Sequence, residues 1–73
     1  MNSTNTRTIK TITHGDNGTR WEFFAQENGL FGYRYFERYA GGGWRKLWTV
    51  CDYTADALAL AFGFDTFAGL MAA

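Results

Sequence analysis

The chain lacks most of the features with which small proteins constrain a fold or carry out chemistry. It has no proline and one cysteine, Cys51, in 73 residues. A single thiol excludes an intramolecular disulfide and a cluster of thiolate ligands around a metal ion. No apolar run approaches the roughly 18 residues of a spanning helix, and the polar first residues lack the apolar stretch of a signal peptide. We therefore expect a soluble, cytoplasmic protein without membrane contact.

The charges balance, with seven basic and seven acidic residues and a formal net charge of zero when His14 is neutral. Proteins that neutralise duplex phosphates usually carry a basic excess, and mimics of nucleic acid carry an acidic one. Neither excess exists in the chain as a whole. Arg34, Arg38, Arg45 and Lys46 concentrate positive charge in the middle of the sequence, so a local basic patch stays open as an alternative.

No group of residues in the sequence has the pattern of a catalytic, metal or cofactor site. His14 lies in a turn without the nucleophile or orienting partner that a general base needs. Asp16 and Asn17 lack the spacing and the closing glutamate of a calcium loop, and Gly41–Gly43 lacks the Lys-Ser/Thr of a P-loop. Cys51 fits a buried strand position better than a reactive thiol. We expect a non-enzyme without cofactor or metal.

Turn signals divide the chain into a polar start and a single α+β domain. Residues 1–6 are almost all Asn, Ser and Thr, so we expect them to fray, followed by one domain over residues 7–73. Strands are predicted at Arg7–Thr13, at Thr19–Gln26, in the aromatic stretch after Asn28-Gly29 and at Trp44–Cys51. Thr54 precedes a helix that ends before Gly63, and Asp65 caps a second short helix. The expected fold is an antiparallel meander of three or four strands, packed on one face by a C-terminal helix.

The pattern of apolar side chains is irregular in the first predicted strand and regular in the last one. Ile9 and Ile12 have opposite parities in the first strand, which indicates either burial on both sides or a bulge. In the last strand an unbroken alternation puts Trp44, Lys46, Trp48 and Val50 on one side, with Leu47 and Cys51 on the other.

The aromatic residues are concentrated in the predicted central hairpin, where they make up eight of the nineteen residues at 21–39. Asn-Gly is favoured at the centre of a two-residue type I′ turn. That turn pairs Trp21 with Phe36 and Phe24 with Tyr33. A three-residue loop would shift the register and exchange the faces. Rings therefore lie on both faces of the sheet, and a single helix covers only one of them.

The face left without a helix is the predicted partner-binding surface. Its rings would expose several hundred Å², at the upper end of what monomers show, and its mixed charges suit a protein partner better than phosphate. The opposite face is expected under the helix, with Arg34 and Arg38 at its rim. A homodimer through the same surface is compatible with this hypothesis of a small non-enzymatic protein-binding module. The predicted partner-binding residues are Arg20, Glu22, Phe24, Phe31, Tyr33, Tyr35 and Glu37.

A second hypothesis, binding of single-stranded nucleic acid, follows from basic residues that stand among aromatic ones. Tyr33–Tyr39 interleaves the two types, a combination used by sheets that stack unpaired bases and hold phosphates. We rank it second because the expected exposed face has mixed charge. The residues of this alternative site are Arg34, Arg38, Trp44, Arg45 and Lys46.

The layout resembles that of the small phage-encoded inhibitors of host defence, anti-CRISPR proteins among them. The features that carry the resemblance are a compact strand meander from Arg7 to Cys51, one helix from Thr54 to Phe62, no catalytic group and an adhesive aromatic surface. It implies an inhibitor that blocks a larger protein or nucleoprotein complex in the host cytoplasm. Some members are acidic mimics of nucleic acid, whereas this chain has no net charge, so steric exclusion is the implied action. The group shares no common fold, and the resemblance implies no site residues.

Overall fold

The computed structural model describes residues 5–73 as a four-stranded antiparallel sheet followed by two short helices. The strands follow one another in the order β1-β2-β3-β4, so the predicted α+β meander with C-terminal helix is confirmed. Residues 1–4, and with them most of the polar start expected to fray, lie outside the described residues, while Thr6 already belongs to β1. The elements are β1 (Thr6–His14), β2 (Thr19–Gln26), β3 (Phe31–Arg38), β4 (Trp44–Tyr53), α1 (Ala55–Ala61) and α2 (Phe67–Ala72).

Strand β1 contains a bulge, one of the two arrangements that its isoleucines indicate. Thr8 pairs with Phe24 of β2 and Lys10 pairs with Phe23, so Ile9 is the extra residue between them. An extra residue reverses the alternation of side chains beyond it. Ile9 and Ile12 consequently both pack against the hydrophobic core.

The turn between β2 and β3 has three residues, Glu27, Asn28 and Gly29, and the predicted two-residue loop is wrong. The backbone N–H of Gln26 donates to the carbonyl of Leu30 at 2.8 Å, which closes the longer loop. Asn28 Oδ1 accepts a hydrogen bond from the Leu30 N–H at 3.1 Å. A type I′ turn would need a positive φ at both Asn28 and Gly29, but only Gly29, at 87°, has one.

The longer loop shifts the predicted register of the central hairpin by one residue. Trp21 pairs with Tyr35 instead of Phe36, and Phe23 pairs with Tyr33 instead of Arg34. Side chains alternate between faces along a strand, so a shift of one residue changes the partners on both faces. We call the side that carries the helices the covered face; its β2 and β3 residues are Thr19, Trp21, Phe23, Ala25, Phe31, Tyr33, Tyr35 and Glu37. We call the other side the open face; its β2 and β3 residues are Arg20, Glu22, Phe24, Gln26, Gly32, Arg34, Phe36 and Arg38.

Strand β4 does not keep the unbroken alternation expected of it. Its pairing with β3 shifts between Tyr35 and Phe36, which face Trp48 and Lys46, so Leu47 is an extra residue. Trp44 and Lys46 therefore lie on the open face, while Trp48 and Val50 share the covered side with Tyr35 and Tyr33. The expected burial of Cys51 is also wrong, because its side chain is exposed.

The two helices close the covered face around a core of four buried residues. Thr54 caps α1 as predicted, and its hydroxyl accepts a hydrogen bond from the Ala57 N–H at 3.2 Å. The second helix is capped by Thr66, not by Asp65 as expected. Neither helix of the described part is long and apolar enough to cross a membrane. The fully buried core residues are Phe23, Leu58, Ala59 and Leu70.

The C-terminal end of α2 is held to the edge strand β1 by one lysine. Lys10 Nζ donates to the carbonyl oxygens of Met71 at 2.9 Å and Ala73 at 2.6 Å. A cation at the C-terminal end of a helix satisfies free carbonyls and interacts favourably with the helix dipole. The first strand and the last helix are thus joined directly, which positions the helix layer over the sheet.

Candidate functional site

The predicted partner-binding surface is divided between the two faces. Three of its members, Arg20, Glu22 and Phe24, lie on the open face, and the other four lie on the covered face. Phe24 is 1% exposed and Tyr35 is 9% exposed. The expectation that Phe24, Tyr33 and Tyr35 form one exposed ring surface is therefore wrong, because it depended on the two-residue loop.

Phe24 is buried on the open face without any helix above it. A Cβ atom added to Gly32 would lie 2.6 Å from Phe24 Cζ and 2.2 Å from the Val50 carbonyl oxygen. The ring therefore occupies the space that a side chain at position 32 would take. Arg34 closes the top, since its Cζ lies 4.4 Å from the Phe24 ring centroid. On the open face, Phe24 is thus shielded from water by Gly32 and Arg34, and the groups that reach solvent above it are charged.

On the covered face, Tyr33 packs under α1, with its ring centroid 4.9 Å from that of Phe62. The Phe31 ring lies 4.8 Å from Phe67 of α2. Tyr35 lies beyond the helices, and its hydroxyl donates to Glu37 Oε2 at 3.2 Å. Burial, and next the hydrogen bond to the Glu37 carboxylate, raise the pKa of the Tyr35 hydroxyl. These side chains build the domain and do not form a free surface.

Positive charge collects on the open face although the chain as a whole is neutral. Four cations lie there against two carboxylates, Glu22 in the middle and Asp52 at the far end. Asp52 Oδ1 accepts a hydrogen bond from Gln26 Nε2 at 2.9 Å, which keeps this carboxylate away from the basic half of the face. The rest of the chain holds three basic and five acidic residues. The cations of the open face are Arg20, Arg34, Arg38 and Lys46.

Trp44 is the centre of the basic half of this face. Its ring is partly buried, and the guanidinium carbons of Arg38 and Arg20 lie 4.9 and 5.5 Å from its centroid. Phe36, also partly buried, pairs with Arg20 on one side and Lys46 on the other. Among residues 5–73 Arg38 and Lys46 make no ion pair. Their charges therefore remain available to a ligand.

Glu22 lies between two arginines without a close hydrogen bond to either. Its carboxylate oxygens are 4.0 Å from Arg20 Nε and 3.9 Å from Arg34 Nη1. Ion pairs of this length at a partly exposed surface contribute little stability. Arg34 Nη2 also donates to Thr6 Oγ1 at 2.9 Å, which makes Arg34 the most firmly held cation of the four.

The structure brings together four of the five residues of the alternative nucleic-acid site. Arg34, Arg38, Trp44 and Lys46 share the open face, whereas Arg45 pairs with Glu37 on the other side and stacks over Tyr39 at 5.8 Å. Two further members, Arg20 and Phe36, were not assigned to this site from the sequence. Phe36 lies on the face of Arg34 and Arg38 in either register, whereas only the three-residue loop brings Arg20 to that face. The sequence feature that favours this loop is Asn28, whose side chain accepts a hydrogen bond from the Leu30 N–H.

A second exposed feature is a row of rings that crosses the covered side beyond the helices, with one ring from each strand. Consecutive centroids are 5.5, 5.0 and 4.5 Å apart. Trp48, at one end, is 49% exposed. The rings of the row are His14, Trp21, Tyr35 and Trp48. An apolar groove of about 380 Å³ adjoins it, lined by Ile12, His14, Trp21, Phe23, Phe62, Phe64 and Ala73.

Comparisons with known proteins add no guide to either surface. Searches against protein-family models, curated proteins and solved structures found no match to this chain. Within residues 5–73 no three His, Cys, Asp or Glu side chains come together in a way that could hold a metal ion. The function is therefore inferred from the geometry and charge of the two surfaces.

Proposed function

We propose that this chain is a small non-enzymatic binding module that holds single-stranded nucleic acid on the open face of its sheet. The observation that carries the proposal is the collection of four cations on a face that neither helix covers: Arg20 and Arg38 lie over the Trp44 ring, Lys46 pairs with Phe36, and Arg34 lies over the Phe24 ring. Sheets that bind single strands combine basic side chains that follow the backbone with aromatic rings on which bases stack.

The charge of the open face favours this function over the protein-binding one. The expected mixed charge included Glu37, which belongs to the covered face, and omitted Arg34, Arg38 and Lys46. With these positions corrected, cations outnumber carboxylates by four to two, and Asp52 is turned towards Gln26 at the far end. A face of this composition attracts a polyanion.

A single strand fits the face better than a duplex does. Trp44 and Phe36 are strand residues whose rings are partly exposed, so they offer some ring surface to a base, whereas the helices, which could enter a groove, lie on the covered face. Bases in a duplex are stacked on one another and cannot reach such rings, whereas unpaired bases can be splayed onto a sheet. The phosphates of the same strand would contact Arg38 and Lys46.

The proposal is tested by fluorescence anisotropy with a labelled oligo-dT strand and the same sequence as a duplex. We expect the single strand to bind more tightly, and its affinity to fall steeply between about 50 and 200 mM salt, because phosphate contacts release counterions. An affinity that is insensitive to salt, or an absence of binding at the lowest salt, would contradict the proposal.

The second candidate function is a protein-binding inhibitor that blocks a larger protein or nucleoprotein complex, the action that the likeness to anti-defence proteins implies. The observation that favours it is Trp48, a large ring 49% exposed at the end of the row on the covered side. Exposed aromatic side chains are typical anchors of protein interfaces. Tyr35, expected to be such an anchor, is 9% exposed and offers little surface to a partner.

This candidate is tested by capture from a host lysate with the wild-type protein and two variants. Trp48→Ala should lose the captured protein, while Trp44→Ala, a matched change on the open face, should retain it. Equal capture by both variants, in a nuclease-treated lysate, would show that Trp48 does not belong to the interface.

A homodimer through the covered side is a separate outcome. Sedimentation at micromolar concentration measures whether the protein is a monomer or a dimer.

A further inference from the structure

We infer that Arg34 is a platform on which an unpaired base stacks, and not a ligand of phosphate. This inference rests on the proposed function and assigns a role within the same face. Its basis is that the Phe24 ring covers the inner plane of the Arg34 guanidinium, that one N–H of its edge is bound to Thr6, and that the Glu22 carboxylate, which repels phosphate, lies beside another. Nη2 donates to Thr6 Oγ1 at 2.9 Å, Nη1 lies 3.9 Å from Glu22 Oε1, and Cζ lies 4.4 Å from the Phe24 ring centroid.

The support beneath Arg34 is rigid. Phe24 is 1% exposed, and its ring fills the space above Gly32, where an added Cβ would clash with it at 2.6 Å. A buried ring in a filled space has little freedom to move. The guanidinium that lies over this ring is therefore held at a defined height and orientation above the sheet.

The outer plane of the Arg34 guanidinium remains available to a ligand, because the Arg34 side chain is 25% exposed to solvent. Guanidinium groups are planar and weakly hydrated, and they stack well on other planar groups. In proteins that bind single-stranded RNA, splayed bases stack on arginine planes as well as on aromatic rings. A nucleobase over Arg34 would complete a stack of base, guanidinium and Phe24 ring.

The other cations of the face suit the phosphates instead. Arg38 and Lys46 are exposed and have no ion pair among the described residues, so their donors are free. Arg38 and Arg34 are four residues apart on β3, about 13 Å at the rise of an extended strand. With one base over Arg34 and phosphates at Arg38 and Lys46, the ligand is a single strand of at least about three nucleotides, a length in line with sheets that stack two or three bases.

The test compares an oligo-dT strand with an abasic strand of the same length and charge. The wild-type protein should prefer oligo-dT. Arg34→Lys keeps the positive charge and loses the plane, so we expect the preference to fall by about fivefold or more, in line with the loss of one stacked base. Affinity for the abasic strand should hardly change. Arg45→Lys, the same change on the other side of the sheet, is the matched control, and it should leave the preference intact.

The outcomes separate the inference from the proposed function. If the wild-type protein binds neither strand, both fail. If it binds oligo-dT with a steep salt dependence and Arg34→Lys keeps the full preference, the base platform is overturned and the proposed function stands. Should the variant not fold, the Arg34 Nε–H resonance of the wild-type protein decides. A ring-current shift with oligo-dT and none with the abasic strand supports the platform, and the same response to both strands contradicts it.

Discussion

The two faces of the sheet bury neighbouring phenylalanines of β2 by different means. Phe23, 0% exposed, lies on the covered face among helix residues, with the Phe62 ring 4.9 Å away. Phe24, 1% exposed, lies on the open face over a glycine and beneath an arginine. A face can thus be sealed against water without a second layer of structure. Its outer surface then remains free for charged groups, and this is where a ligand can bind.

The strongest way to test this comparison is to truncate each ring. Phe→Ala in a packed core costs about 3–5 kcal/mol, and we expect Phe23→Ala to lie near the upper end because helix, sheet and ring contacts are lost together. Phe24→Ala should cost less, about 2–3 kcal/mol, because Arg34 and water can enter the space. Urea denaturation followed by circular dichroism measures both. A larger loss for Phe24→Ala would mean that the open face holds the main core.

Replacing Gly32 should break the open face while leaving the covered face in place. A Cβ at this position would lie 2.2 Å from the Val50 carbonyl oxygen and 2.6 Å from Phe24 Cζ, so the backbone and the ring must both move. Overpacking of this kind costs about 1–3 kcal/mol, and we expect Gly32→Ala to fall in the upper half of that range. Gly41→Ala is the matched control, since nothing lies within 4 Å of the added atom. Equal melting temperatures for the two variants would contradict the close approach.

Substituting one arginine on each side of the sheet tests which side binds oligo-dT. Arg38→Gln removes a free cation from the open face, and we expect it to weaken binding of oligo-dT by about fivefold and to reduce the salt slope by about one phosphate contact. Arg45→Gln removes a cation from the other side, beside Tyr39, and should change neither quantity. Anisotropy titrations at several salt concentrations measure both. An equal loss from both variants would show that the overall charge matters and the face does not.

The smallest expected effect concerns Glu22, the carboxylate in the middle of the open face. Its distances of 4.0 and 3.9 Å to two arginine nitrogens indicate weak pairs, so Glu22→Gln should change stability by less than about 1 kcal/mol. Affinity for oligo-dT should rise about twofold to threefold, because one charge that repels phosphate is gone. Asp65→Asn, next to α2, is the control. A fall in affinity would mean that Glu22 holds the arginines in place for the ligand.

Most of the fold follows from local residue patterns. The limits of β2 and the Thr54 cap of α1 agree with the sequence prediction. The bulge at Ile9 was one of two arrangements that the parity of its isoleucines allows. These features could be predicted because each depends on a few adjacent residues, such as a capping hydroxyl or a cluster of turn formers.

The division of side chains between the faces could not be predicted in the same way. Asn28-Gly29 is compatible with a loop of two or three residues, and the longer loop of the structure is held by backbone hydrogen bonds between Gln26 and Leu30 and between Gly29 and Gln26, with one more from the Leu30 N–H to the Asn28 side chain. The bulge at Leu47 has no residue signal that distinguishes it from regular alternation. A shift of one residue in the β2–β3 loop divided the predicted partner-binding residues between the two faces. This shift and the one at Leu47 placed Arg20 beside Trp44. The burial of each side chain and the charge of each face are therefore properties of the tertiary structure and do not follow from local sequence.

The bulges have a further consequence for the behaviour of the protein at high concentration. The inner strands β2 and β3 pair without a shift, whereas β1 and β4, the two edges of the sheet, each carry irregular pairing. On β4 the irregularity recurs near Asp52, which has a φ of 68°. An edge strand that is bent and interrupted by bulges cannot easily pair with a strand of another molecule. Molecules crowded together should therefore resist edge-to-edge growth into fibres, despite their abundance of β-forming and aromatic residues.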